Sequence, residues 1–388
     1  MPESPTTPTR TDLDPEGATA QRYSAAALER EAALCCPVDY DPRLLEAIPS
    51  EVIERDYGCG DPSRYVRTGE TVLDLGSGGG KICFMASQLA GAEGRVIGVD
   101  MNDEMLGLAR RAAPRVAENV GFANVEFRRG RIQDLDLDLE RLERWLEAHP
   151  VRGLEDLARL DEERERLRRE HPLVASDSVD LVVSNCVLNL VREADKQKLI
   201  DEIYRVLRPG GRIAISDIVS DEVVPEHLRQ DPELWSGCVS GAFHELDLLK
   251  RLESAGFYGI AIDQWEAEPF AVVEGIEFRS ITVTAMKGKE GPCLEGGHAL
   301  LYRGPWRQVV DDDGHTLERG VRTAVCAKTY RILTGEPYAS QTLGIEPLEP
   351  IAEEEQAVFD CSRVEPRDPR ETKGADYRLQ RPPGESCC

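Results

Sequence analysis

A chain of 388 residues with a formal charge of −25 exceeds the usual span of one domain and can bury a core without disulfide or metal staples. The acid excess repels phosphate backbones and no basic patch offsets it, so no nucleic-acid partner is expected. No apolar run approaches the roughly eighteen residues of a membrane span, and the opening MPESPTTPTRTDLDPEG has no apolar core segment, so the expectation is a soluble, cytoplasmic protein with no membrane partner.

In chain order, residues 1–20 are expected to be disordered and 21–70 to form an N-terminal helical cap, broken at Pro37 and Pro42, that ends in a loop carrying Cys59. From Thr71 the pattern alternates. Strands are expected at 71–75, 95–99, 124–128, 179–184 and 211–217, with helices at 79–91, 103–119, 193–206 and 243–255, and last strands near 257–265 and 279–286. Such alternation builds an α/β, doubly wound parallel sheet with helices on both faces, here over 71–287 with an antiparallel pair at its end. The stretch 138–171 interrupts it with leucines at helical spacing among dense charges, read as a charged helical insertion of two short helices broken at Pro150. Beyond it, 288–365 reads as a small β-rich C-terminal domain with a hairpin turn at Asp313-Gly314. Residues 366–388 read as a loose tail ending Cys387-Cys388.

The stretch VLDLGSGGGK, Val72 to Lys81, carries the most chemistry. An apolar run ending in Asp74 and a glycine turn with Gly76, Ser77, Gly78, Gly79 and Gly80 feeds a strand into a helix. The G-x-G-x-x-G dinucleotide fingerprint fails, because Lys81 stands where the third glycine would permit close packing beside a pyrophosphate. A second apolar run, RVIGVD, ends in Asp100, placed as the carboxylate that meets a ribose diol. A donor with a ribose and a charged amino-acid tail but no pyrophosphate suits this loop, which points to S-adenosylmethionine (SAM).

Eleven cysteines form an odd count without a secretory signal, which argues against a disulfide framework. Cys83, inside KICFMASQLA, reads as a small buried apolar residue. Three others occupy loops: Cys59 in RDYGCGDP, Cys186 directly after the strand DLVVSN, and Cys238 in WSGCVSGAFHE. In an open α/β sheet, ligands sit beyond the carboxyl ends of the strands, so these loops can converge there. No C-x-x-C or H-x-x-x-H spacing is present to favour a zinc-finger site.

YGCG, SNCVLNL and SGCVSGA, together with VLDLGSGGG and RVIGVDMNDEML, resemble the arsenite SAM-methyltransferase family over roughly 30–290. The resemblance implies a class I methyltransferase, Rossmann-like fold, with SAM as donor, trivalent arsenic (arsenite or an arsenic–thiol complex) as substrate, and a thiol reductant such as thioredoxin or glutathione. Cys59, Cys186 and Cys238 would then be the arsenic ligands, with Cys36, or its neighbour Cys35, as a further catalytic thiol. Softness supports this assignment, since trivalent arsenic prefers thiolates to carboxylate or imidazole. Asp74, Gly76, Ser77, Gly78 and Gly80 are placed at the methionine end of the donor, Asp100 on its ribose, and Ile132 and Gln133 against adenine. Met101 belongs either to the adenine face or to the core. Tyr57 and Asn185 flank two of the cysteines and are placed against the donor. The expected role is arsenic detoxification.

Two alternatives stay open. One is a SAM-dependent methyltransferase of a small organic acceptor, which needs a base near the strand ends and for which His244 is the candidate histidine. The other is a metalloid-binding or thiol redox protein on the same fold. Cys293 and Cys326 are expected to be structural, and Cys387 and Cys388 to belong to the tail.

Overall fold

Runs of β-branched and aliphatic residues make the central sheet. Thr71–Leu75 (β1), Arg95–Asp100 (β2), Val125–Arg129 (β3), Val179–Asn185 (β4) and Leu207–Ser220 (β5) lie parallel in the order β3-β2-β1-β4-β5. Phe243–His244 (β6) adds a short parallel pairing to β5. Tyr258–Trp265 (β7), Ala271–Val273 (β8) and Ile276–Met286 (β9) complete nine strands, with β9 antiparallel to β5 and β7 antiparallel to β9. The computed structural model describes residues 15–28, 38–362, 365–374 and 377. The chain divides into two units, Met1–Lys287 and Gly288–Cys388, each taken here by itself.

In the first unit, the strand order reverses between β1 and β4. β2 and β3 extend one way from β1, and the chain then crosses to its other side. Such a reversal leaves a crevice beyond the carboxyl ends of the two strands. Residues 15–20, expected to be disordered, instead open α1 (Pro15–Leu28), whose Pro15 suits a first helical turn and whose alanines favour helix. Ala26 and Ala27 bury against Met105. The cap continues through the short α2 (Pro42–Leu45) and α3 (Ser50–Glu54).

The sheet helices follow from their caps. Gly80, left-handed at φ 89°, opens α4 (Lys81–Ala90). Asn102 opens α5 (Asp103–Val120) by accepting from Met105 N at 3.0 Å, and left-handed Gly121 closes it. The insertion is a helical pair, α6 (Leu139–Ala148) and α7 (Leu154–Glu170), whose Leu142, Leu160 and Leu167 bury with Leu137 in a small apolar seam. Arg168 pairs with Asp134 at 2.7 Å and Arg129 with Glu143 at 2.7 Å, so the opposite charges of the insertion tie it to the sheet edge. Next come α8 (Lys196–Val206), α9 (Glu226–Arg229), α10 (Pro232–Ser236) and α11 (Glu245–Ser254). α11 starts two residues later than the pattern predicts, because Phe243 and His244 pair with Val219 and Ser220 as β6.

In the second unit, Ala299–Tyr302 (β10) lies between Arg322–Ala324 (β13) and Thr342–Ile345 (β14), both antiparallel to it; Gln308–Val310 (β11) and Thr316–Glu318 (β12) form a hairpin across Asp313-Gly314. Within this β-rich unit the segment VRTAVCAKTYRIL is strand only over β13. Its second half is α12 (Ala327–Thr334), made helical by its alanine and long straight side chains and capped by the Cys326 side chain. The expected loose tail contains α13 (Pro369–Lys373), capped by Asp368 and anchored by Arg367, which pairs with Glu295 at 2.7 Å and Glu371 at 2.9 Å. Among the described residues, no helix is long and apolar enough to cross a membrane.

Candidate active site

The crevice between β1 and β4 collects the predicted donor residues. The glycine turn uses the left-handed region at Gly76, Gly78 and Gly80, with φ of 67°, 50° and 89°. A Cβ on Gly76 would stand 2.3 Å from Val187, whereas one on Gly78 would meet nothing within 4 Å. The first is packed against the next loop; the second opens onto a cavity. Asp100 is held at the rim by two backbone donors, Gly78 N and Asn102 N, each at 2.8 Å. Met101, Ile132 and Gln133 line the same cavity, of about 750 Å³. Met101 is 38% exposed, so it belongs to the cavity wall and not to the core.

A second cavity of about 450 Å³ adjoins the first, sharing Gly76, Gly78 and Val187, and is lined by Asp74, Ser77, Tyr57, Asn185 and Cys186. Ser77 Oγ is buried with no hydrogen-bond partner, where a Cβ on Gly98 would stand 2.8 Å from it. Asp74 is buried, and desolvation pushes its carboxyl up to about 7 against the hydrogen bond from the Cys83 thiol at 3.2 Å. Cys83 is therefore buried as expected and also touches the donor-facing carboxylate.

The acceptor side is built on the SNCVLN segment that leaves β4. Cys59, Cys186 and Cys238 are buried in one apolar cluster with Ile218 and Phe278. Cys186 and Cys238 both sit in left-handed backbone at φ 61°, where a residue with a Cβ costs roughly 1–2 kcal/mol. Cys238 Sγ donates to the Cys186 carbonyl at 3.1 Å. Hydrogen bonding to Cys238 and Cys59, with burial added, holds the Cys186 thiol well above its ordinary range. Cys186 thus contacts both of the other thiols, although the three sulfurs do not all lie within 4.8 Å of one another.

Two asparagines hold the outer loops onto the central one. Asn185 bonds the Cys59 loop, accepting from Cys59 N at 2.9 Å and Gly60 N at 3.0 Å and donating to the Gly60 carbonyl at 2.8 Å. Asn189 donates to the Cys238 carbonyl at 3.1 Å and to the Ile218 carbonyl at 2.6 Å. Asp217, buried near the carboxyl end of β5, accepts from Val187 N, Leu188 N and Ile218 N at 3.2, 2.8 and 2.8 Å. Burial raises its carboxyl to about 6 despite these donors. Lys196, almost wholly buried, reaches the Gly241 carbonyl at 2.8 Å and braces the far end of the Cys238 loop.

Sequence reasoning placed Asn185 against the donor, and the side chain lines the second cavity. Its grip on the Cys59 loop, and the parts played by Asn189 and Asp217, are visible only in three dimensions. Tyr23 of α1 was also missed: its ring lines both cavities and its hydroxyl lies 4.0 Å from Cys238 Sγ. Tyr57 points its hydroxyl to the Ala26 carbonyl at 3.0 Å and its ring toward Tyr23. His244 caps α11 by accepting from Leu246 N at 3.3 Å and lines a different pocket, beside Lys250 and Arg251, so it is no base for this crevice. Cys35, Cys36, Cys387 and Cys388 lie outside the described residues.

Against known proteins, the chain is 33% identical over 343 residues to an arsenite methyltransferase of Aquipseudomonas alcaligenes, covering 83% of this chain and 88% of that relative. The chain belongs to the arsenite methyltransferase family. A human arsenite methyltransferase is 30% identical over 339 residues, 84% of this chain and 79% of the relative. The solved structure of an arsenic(III) S-adenosylmethionine methyltransferase from Chlamydomonas reinhardtii superposes with a TM-score of 0.56 at 25% identity, covering 86% of this chain and 100% of that one. This arsenite methyltransferase also matches a methyltransferase-domain model over residues 67–146 and 164–265, which leaves 147–163 of the insertion outside the match. A domain of unknown function (DUF8838) matches residues 289–377. The class I methyltransferase fold, SAM dependence and arsenic methylation expected from the resemblance are thereby established, and His244 does not supply the base that an organic acceptor would need.

Proposed function

We propose that this arsenite methyltransferase holds trivalent arsenic on Cys59, Cys186 and Cys238 and presents it to a donor seated in the adjoining cavities. The observation that carries this reading is the convergence of three cysteine loops on the rim next to the glycine turn, two of them tied to the SNCVLN segment by Asn185 and Asn189. SAM, when bound, supplies an electrophilic methyl group on a cationic sulfur. Asp100 orients it through the ribose hydroxyls. Asp74, Gly76, Ser77, Gly78 and Gly80 receive the methionine end, where the open face of Gly78 leaves room for it. Met101, Ile132 and Gln133 flank the adenine, and Tyr57, Tyr23 and Asn185 close the wall toward the thiols.

Three thiolates leave arsenic with a lone pair, which forms the arsenic–carbon bond as the carbon–sulfur bond breaks and its electron pair returns to the donor sulfur. No proton moves, so no general base is required. The chain contributes position and an apolar, water-poor surrounding. Arsenic is thereby formally oxidised by two electrons, which Cys59 and Cys36 or Cys35 return by closing a disulfide. Thioredoxin or glutathione then reopens that bond. Such turnover belongs to the reducing cytoplasm, and its use is arsenic detoxification.

Incubating the protein with SAM, arsenite and a thiol, and reading methylated arsenicals by mass spectrometry, tests the proposal. Product that disappears in Cys186→Ser while SAM binding persists supports it; unchanged product in that variant rejects the ligand assignment. For the redox arm, the turnover number with thioredoxin falls to about one in Cys36→Ser or in Cys35→Ser. Equal multiple turnover in wild type and both variants removes the disulfide step.

A further inference from the structure

Cys293, Cys326 and Cys361, in the second unit, bring their sulfurs within 4.8 Å of one another. The methyl-transfer chemistry does not use them. All three are free thiols; Cys326 is fully buried and the other two half-buried, so the cluster has a closed floor and an open mouth. No histidine or carboxylate joins the group among the described residues.

The sulfurs are brought together by backbone pairing and not by their own contacts. Leu294 bridges Val358, Phe359 N donates to the Cys293 carbonyl at 2.9 Å, and Glu295 N to the Ala357 carbonyl at 2.8 Å, which sets Cys293 beside the turn holding Cys361. Ala327 N donates to the Leu294 carbonyl at 2.8 Å, which draws in the start of α12 and with it Cys326. Cys326 is the N-cap of that helix. Its sulfur lies 3.3 Å from Thr329 N and 3.2 Å from Thr329 Oγ1.

The geometry points to a second trithiolate site, at Cys293, Cys326 and Cys361, for a three-coordinate thiophilic ion, namely trivalent arsenic. Structural zinc sites are four-coordinate, and among the described residues no fourth protein donor joins the cluster. Three thiolates also leave a divalent ion with a net negative charge, whereas they neutralise a trivalent one. Loading is ligand exchange without electron transfer: arsenous acid, As(OH)3, and three thiols give the tris-thiolate and three waters, each leaving hydroxide taking one thiol proton. The occupied site would pin the Cys293 and Cys361 segments to the start of α12.

The test uses the full-length, reduced chain with arsenite and no SAM, so its outcome is independent of the methyl-transfer proposal. After desalting, arsenic and zinc per chain are counted by mass spectrometry, and arsenic X-ray absorption gives the number of sulfur neighbours. Wild type is expected to retain one equivalent more than Cys326→Ser and Cys293→Ser, with three sulfur neighbours in the Cys186→Ser background. Arsenite is expected to raise the melting temperature of Cys186→Ser but not of Cys186→Ser with Cys293→Ser. Because Cys326 is also a helix cap, the half-exposed Cys293→Ser and Cys361→Ser, checked by circular dichroism, carry the comparison if Cys326→Ser unfolds. Equal arsenic retention in wild type and these variants overturns the site, as does stoichiometric zinc that arsenite fails to displace.

Discussion

Asn185 holds Cys59 by the backbone: its side-chain oxygen accepts from Cys59 N at 2.9 Å, across 126 residues of sequence. The same amide closes a ring of bonds on Gly60. A Cβ on Gly58 would stand 2.0 Å from the Asn185 amide, so the glycine beside the cysteine is what lets the two approach. Asn185→Ala removes three hydrogen bonds from a loop that has few others, each worth about 0.5–1.5 kcal/mol net. The expected outcome is a rise of about tenfold or more in the KM for arsenite. Rates measured across arsenite concentrations, with SAM binding followed in parallel by calorimetry, check it.

Gly76 and Gly78 separate packing from binding. Gly76→Ala drives a methyl into Val187 and forces a non-glycine residue into left-handed backbone, so it should destabilise the fold by about 2 kcal/mol or more. Gly78→Ala carries the backbone penalty alone, since nothing stands within 4 Å of the new methyl. It should fold, yet bind SAM about tenfold or more weakly because the methyl enters the donor cavity. Urea denaturation and SAM titration of both variants test the contrast.

Burial raises the Asp74 carboxyl from 3.8 to about 7, and the sign of its effect follows. Between those values the folded chain holds a proton that the unfolded chain has released, so this group's contribution to stability falls as pH rises through the window. Recognition of a cationic methionine end runs the other way, because it needs the carboxylate. SAM affinity should therefore climb from about pH 6 to about pH 8 and then level off. Asp74→Asn should bind weakly with a flat profile. Calorimetric titration at several pH values decides.

Asp217 is the hub of the turn that places Cys186. Asp217→Ala orphans three backbone donors, on Val187, Leu188 and Ile218, and should destabilise the protein by about 2–3 kcal/mol. Asp217→Asn keeps one acceptor and should recover part of that stability while methylation stays below wild type. Denaturation midpoints and initial rates of both variants are the measurements.

The parts of this architecture that repeat locally were readable in advance. Alternating apolar runs and glycine turns placed β1 to β5, the glycine turn itself, and the carboxylates Asp74 and Asp100 beside it, because each depends on a few adjacent residues. The three cysteine loops were readable for the same reason. Contacts made across the chain were not. Asn189 resembles any polar residue in a short turn, Asp217 any polar residue at the end of a strand, and Tyr23 sits in a helix whose composition announces nothing about a cavity. Cys293, Cys326 and Cys361 lack close spacing, so only the pairing of distant segments reveals them as a group. The Asp368 and Cys326 caps open helices inside segments read only as a loose tail and as a β-rich domain.

The left-handed backbone at Cys186 and Cys238 bears on how such a protein changes over generations. Position 186 is held through its own main chain, its N donating to the Ser216 carbonyl at 2.8 Å and its carbonyl accepting from Cys238 Sγ at 3.1 Å, and both positions have a conformation that glycine or asparagine adopts more readily than cysteine. Replacing Cys186 by glycine therefore relieves backbone strain that offsets part of the lost burial. The main-chain bonds at position 186 do not use its own sulfur, so that thiol can be lost by one substitution while the turn and the neighbouring cavities stay in place.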